Sequence, residues 1–188
     1  MWKRVLFVLL ALLLVGSPAA ADTAKRADGE ATSGPLDIKA VSHGHHGTRL
    51  VHTLRMYEEW RNPDLRDDSS WIALLFDRRE SSLDDDRYLR IDYSEERGLH
   101  ARMTTFGTHG PGEFIGRVDV SRPTRRSVRV RFPKRFLGRA VKRYEWRAIS
   151  SFEDAGTCRS NPDSASQGGC IDYAPGRHRP GIEHDLNG

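Results

Sequence analysis

In Ser127-Val-Arg-Val-Arg-Phe132, Val128, Val130 and Phe132 fall on one side of an extended backbone, and Arg129 and Arg131 fall on the other. Successive side chains of a strand point to opposite faces, so this period of two separates a face to be buried from a face left in water. Pro133-Lys-Arg-Phe-Leu-Gly138 follows at once. A proline in the first turn and a closing glycine fit one short helical turn over 133–138.

The same alternation recurs on both sides of this stretch. Tyr144, Trp146 and Ala148 line up against Glu145 and Arg147, and Leu50, Leu54 and Met56 against Thr53 and Arg55. Strands are predicted at 36–41, 50–60, 70–76, 88–93, 99–105, 114–120, 127–132 and 144–152, separated by Gly, Pro, Asp and Ser. About eight strands without interleaved helices predict an all-β fold, a two-sheet antiparallel β-sandwich of jelly-roll type.

The N-terminus carries an address. Lys3 and Arg4 precede the apolar run from Val5 to Val15, and Ala19 and Ala21 fit the small residues read at a cleavage point. These three marks predict a signal peptide over 1–21, cleaved after Ala21. The apolar run falls short of the roughly 20 residues of a membrane span, so a secreted chain without a stable membrane anchor is expected. Cleavage leaves 167 residues, enough for one domain with a sizeable core. The formal charge falls from +4 to +2, which argues against a nucleic-acid partner. Residues 22–34 (DTAKRADGEATSG) are small, charged and aperiodic, and read as a flexible leader to a sandwich over 35–188.

Two cysteines, Cys158 and Cys170, enclose a polar segment rich in turn formers. In an exported chain an even count predicts a disulfide, contributing on the order of 3 kcal/mol for a loop of this span. Beyond it, Ile182 and Leu186 look like anchors of an extended C-terminal tail laid back on the domain.

The order of segments also carries a resemblance. A Leu36-Asp-Ile38 strand, a long strand ending in an aromatic, Ile72-Ala-Leu-Leu-Phe-Asp77, an acidic stretch and Tyr88-Leu-Arg-Ile91 resemble the opening of family-nine carbohydrate-binding modules and DOMON-type sandwiches. Phe132-Pro133 to Leu137 matches a later helical turn of those domains, and the span 35–186 is similar to secreted actinobacterial proteins of unknown function. The resemblance implies a β-sandwich that binds a ligand. The sugar-binding version stacks saccharide on exposed tryptophans, whereas Trp60, Trp71 and Trp146 lie within or at the ends of predicted strands, so that role does not carry over.

Three constellations stand out. Asp77, Asp84, Asp85 and Asp86 could supply several of the six to eight oxygens of a Ca²⁺ site. Arg78, Arg79 and Arg87 equally make the segment a charged turn neutralised from within. His43, His45 and His46, with His52, form a local density of imidazoles in which His43 and His45 point the same way if extended; imidazoles suit zinc or copper. Gly44 and Gly47 equally make this a solvated turn. From Arg122 to Arg147, eleven Lys or Arg face the single acid Glu145, while residues 77–96 hold eight acids against four arginines. The basic block would steer the domain toward anionic polymers or surfaces, unless cross-strand pairs with the acidic region consume it.

No nucleophile elbow, phosphate-binding loop, dinucleotide fingerprint or zinc-protease motif occurs. The expectation is a secreted, monomeric, non-enzymatic binding or interaction module for a glycan or an extracellular protein. No cofactor is implied beyond the optional Ca²⁺, a calcium-stabilised structural module is the alternative, and a hydrolase is the outside alternative.

Overall fold

A computed structural model of the chain describes residues 24–29, 32, 34–66, 70–78, 86–107, 110–152, 170–176 and 180–186. The segment 1–21 with Ala21, and also Asp84, Asp85 and Cys158, lie outside the described residues. Among the described residues there are eleven strands: β1 (Ala24–Ala27), β2 (Ile38–His46), β3 (Arg49–Met56), β4 (Trp71–Asp77), β5 (Arg87–Ser94), β6 (Gly98–Gly107), β7 (Gly110–Thr124), β8 (Ser127–Pro133), β9 (Arg143–Phe152), β10 (Cys170–Ala174) and β11 (Ile182–Asp185). Two single 3-10 turns, Asn62–Leu65 and Lys134–Leu137, are the helical elements among the described residues, and the second falls where Pro133 and Gly138 predict it.

The pairing is antiparallel throughout, in the order β1-β2-β3-β8-β7-β6-β5-β4-β9-β10, with β11 also on β9. Inward residues meet as alternation requires: Leu50 lies opposite Phe132, His52 opposite Val130 and Leu54 opposite Val128. All six are buried, and each fully buried large apolar side chain contributes roughly 1.5–3 kcal/mol.

The architecture differs from the expected eight strands in two sheets. It is one hydrogen-bonded path, because β7 is 15 residues long and serves two partners. Its earlier part pairs with β6 at Phe114, Gly116, Arg117 and Val118, and its later part pairs with β8 from Asp119 to Thr124. The register shifts in both ladders, and such bulges bend a strand and raise its twist. The sheet therefore curls until side chains of β2 and β3 meet those of β9 across the core. Where the path closes, the Ile38 N–H donates to Asp172 Oδ2 at 2.6 Å and Ser150 Oγ donates to the Leu36 carbonyl at 2.6 Å.

Two stretches read as irregular are ordered. Part of the 22–34 leader forms β1, which pairs with Ala40–His43 of β2. The supposed glycine-rich turn around His43 is strand as far as His46. Only Gly47 and Thr48 turn, as a two-residue hairpin loop with Gly47 at φ 58°, a backbone state that glycine adopts without steric cost. The C-terminal tail does lie back on the sheet, as β11, with Ile182 buried and Leu186 half-buried against the core.

Candidate functional site

Three places on the fold concentrate chemistry. The first is a groove of about 710 Å³ on the outer face of the β1-β2-β3-β8 region, lined by Lys25, Arg55, Arg125, Arg126 and Arg129 with Glu59 as the acid, and by apolar surface that includes Ala40, Val41 and Pro123. Its construction follows from register. Lys25 lies opposite Ser42, Ser42 opposite Thr53, Thr53 opposite Arg129 and Arg129 opposite Ser121. One row of polar and basic side chains thus crosses five strands. Arg129 Nε donates to Thr53 Oγ1 at 3.2 Å, which holds that guanidinium on the row. Arg125 pairs with Glu59 at 3.6 Å across exposed side chains. Among the described residues, Lys25, Arg55, Arg126 and Arg129 form no ion pair.

Among the described residues, the acidic region contributes Asp77 to β4 and Asp92 to β5, whereas β8 runs between β3 and β7, so the two are not cross-strand neighbours; β9 of the basic block does lie beside β4. Other arginines of the block have structural posts. Arg122 stacks on the Trp60 ring at 3.9 Å and donates to the Trp60 and Arg125 carbonyls, and Arg143 pairs with Glu183 at 3.5 Å.

The second place is a pocket of about 220 Å³ that gathers Asp77, Asp86 and Glu145 with Phe106, Arg147 and Tyr173. Asp77 lies opposite Glu145 in the β4–β9 ladder, a like-charge pairing that costs stability unless compensated. Asp86 Oδ1 accepts the Arg78 N–H at 3.4 Å, and its carbonyl accepts the Phe106 N–H at 2.9 Å. Burial raises the Asp86 carboxyl above its ordinary range against the lowering effect of the Arg78 hydrogen bond, and Asp77 raises it further. Asp77 and Asp86 thus line one pocket. However, no group of three Asp, Glu, His or Cys side chains among the described residues is placed to hold a metal ion.

The third place is interior. His43 and His52 are buried between the facing parts of the sheet, and His184 of β11 joins them, its ring 4.2 Å from that of His43. His52 lies 6.2 Å from His43 and stacks on Phe132, and His45, half-buried, lies 6.0 Å from His184. His46 is exposed and takes no part. Trp146 Nε1 donates to His43 Nδ1 at 2.9 Å, and the Tyr144 hydroxyl lies 3.0 Å from His52 Nε2. Burial holds the His52 imidazolium well below its ordinary range, with His43 and His184 adding to the effect, and burial pushes the Tyr144 hydroxyl well above its own. The His52 Nδ1 is buried with no hydrogen-bond partner among the described residues.

The tryptophan bond corrects the reading of His43, His45 and His46 as a metal start. An indole N–H can only donate, so His43 Nδ1 carries no hydrogen and the proton of the neutral ring sits on Nε2. One nitrogen is occupied and the other lacks a lone pair, which leaves neutral His43 nothing to offer a metal. His46 points away altogether. Sequence reading missed His184 and the inward orientation of His52. Both sit at inward positions of alternating strands, Ile182–His184 and Leu50–Leu54, which was the available signal.

Cys170 is buried at the start of β10, opposite Phe152. Its expected bridge partner, Cys158, is not among the described residues. No helix among the described residues is long and apolar enough to cross a membrane. No protein family, no curated protein and no solved structure matches the chain.

Proposed function

We propose that the protein is a secreted, non-enzymatic binding module that holds an anionic glycan in the groove formed by β1, β2, β3 and β8. The observation that carries this reading is the row Lys25–Ser42–Thr53–Arg129, with Arg55 and Arg126 beside it. An extended concave face with spaced cations and hydroxyl donors suits a chain of carboxylate, sulfate or phosphate groups linked through sugars. Arginine forks bind such oxygens bidentately, and Ser and Thr reach sugar hydroxyls. In this reading the curled sheet works as a two-layer sandwich of the kind that resemblance to carbohydrate-binding modules implies, the groove using a layer's outer face. The protein acts as a monomer, and its partner is the glycan rather than another extracellular protein.

The test is binding of the purified protein to an array holding matched anionic and neutral polysaccharides. Binding to anionic members that weakens steeply with salt, and falls at least tenfold in Arg55→Glu/Arg129→Glu, is expected. Equal binding to neutral members, or indifference to the double substitution, refutes the reading.

A second reading is favoured by the Asp77–Glu145 juxtaposition beside Asp86. There, a Ca²⁺ ion would relieve like-charge repulsion and stabilise the domain, with Asp84 and Asp85 as further oxygen donors.

A further inference from the structure

We propose that the outer face of the β6–β7 hairpin docks on an anionic lipid bilayer, with Phe106 and Phe114 entering the headgroup layer and Arg102 and Arg117 meeting its negative charge. This surface lies on a different part of the sheet from the glycan groove and does not depend on it. Alternation fixes which side chains share the face. Leu89 and Ile91 of β5 and Ala101 and Met103 of β6 are buried in the core, so Tyr88 and Arg90, and likewise Arg102, Thr104 and Phe106, take the outer side. Thr104 lies opposite Tyr88 in one ladder and opposite Phe114 of β7 in the other. Phe106 follows two residues after Thr104, with its ring 6.1 Å from that of Tyr88.

Three rings are thus grouped where water would ordinarily meet polar side chains. Phe114 is 59% exposed and Phe106 43%, the two exposed large hydrophobic side chains among the described residues. The register that sets Lys25, Ser42, Thr53 and Arg129 outside on the other half of the sheet sets aromatic rings outside here. A single exposed ring needs no explanation, whereas neighbouring ones mark a contact surface.

Charge identifies what is contacted. Arg102 lies opposite Arg90 on one side and Arg117 on the other, so three guanidinium groups stand abreast beside the rings. Like charges in facing positions cost stability unless something compensates them. Asp92 engages Arg90 at 2.6 Å, while Arg102 and Arg117 are exposed and form no ion pair among the described residues. Of the nearby acids, Asp119 is engaged by Arg49, and Glu113 precedes Phe114 by one residue and so belongs to the other side of the strand. A bilayer with acidic headgroups supplies both partners at once, an apolar layer for the rings and negative charge for the guanidinium groups. Phe106, opposite Pro111, lies one pair short of the hairpin end at Gly107 and Gly110, and rings standing out there suit a deformable surface. Two rings and two charges give reversible peripheral docking, not an anchor.

The test is cosedimentation of the purified protein with vesicles of phosphatidylcholine alone and of phosphatidylcholine mixed equally with phosphatidylglycerol. Binding to the mixed vesicles is expected, with little to phosphatidylcholine alone. An arginine at such a surface contributes about fivefold in affinity, so Arg102→Gln/Arg117→Gln should weaken binding about twenty-five-fold. Phe106→Ala/Phe114→Ala should weaken it about tenfold or more through the lost apolar contact. All four side chains are exposed, so both variants should melt where the unsubstituted protein does. Should either pair fail to fold, Arg117→Gln and Phe114→Ala alone give the same reading with smaller losses. Absence of binding to the mixed vesicles, or equal binding to both kinds, overturns the proposal. So does full binding by the phenylalanine variant, which would reduce the contact to charge attraction elsewhere on the protein, or indifference to the arginine pair.

Discussion

Asp172 places a buried carboxyl where the two ends of the curled sheet meet, and its ionisation sets a measurable pH dependence. It is 2% exposed, and its Oδ2 and Oδ1 accept the N–H groups of Ile38 and Tyr173 at 2.6 and 2.7 Å. Those two bonds favour the carboxylate. Burial opposes them and prevails, with Asp37 and Asp28 adding like charge, so the carboxyl is raised from 3.8 to about 7. An acid raised in the fold binds its proton there over a range where the unfolded chain has lost it, so stability declines as pH climbs across that range. Its contribution is complete below about pH 4 and gone above about pH 7. Across that range the contribution amounts to roughly 4 kcal/mol.

The assay is urea unfolding of the wild type and of Asp172→Asn at intervals from pH 4 to 8. Asparagine presents one acceptor oxygen instead of two, which costs about 1–3 kcal/mol at every pH. The informative quantity is therefore the change in the difference, not its value at one pH. The variant should gain on the wild type by roughly 4 kcal/mol from pH 4 to 8, with most of the change between pH 5 and 7. A constant difference, or one running the other way, would refute the claim that burial outweighs the two N–H donors at this seam.

Two further outcomes test other parts of the structure. A Cβ added at Gly116 would meet the Phe136 ring at 2.5 Å, closing the space that lets the 3-10 turn pack on β7. Gly116→Ala should destabilise the protein by about 1–3 kcal/mol, and an unchanged thermal midpoint would show that the ring yields freely. If the carboxylates around Asp86 take up calcium, millimolar Ca²⁺ should raise the melting temperature, and Asp86→Ala together with Asp84→Ala should remove the rise. Identical melting in calcium and in chelator excludes that reading.

Much of the fold is legible residue by residue. Each of the eight predicted segments contains a strand, displaced by a few residues at its ends, and in those with period-two alternation the reason is that a strand with one buried face must alternate its side chains. Pro133 and Gly138 mark the 3-10 turn for reasons equally local. β1 was hidden because Ala24–Ala27 buries little and shows no alternation; its backbone hydrogen bonds to the edge of β2 form it, and such bonds leave no trace in composition.

What the sequence alone determined is therefore the class of fold, the inward and outward faces of its principal strands, and the local excess of positive charge between Arg122 and Arg147. Only the tertiary structure decided which strands are neighbours. The reach of β7 from β6 to β8 joins the ladders into one sheet, and the resulting curl brings His43, His52 and His184 together from β2, β3 and β11. The same pairing order sets Lys25 beside Ser42, Thr53 and Arg129 while keeping β8 apart from the acidic strands. Alternation is a property of each residue with its near neighbours, whereas a groove or a buried cluster depends on distances between residues far apart along the chain, which are fixed only when the backbone hydrogen bonds choose their partners.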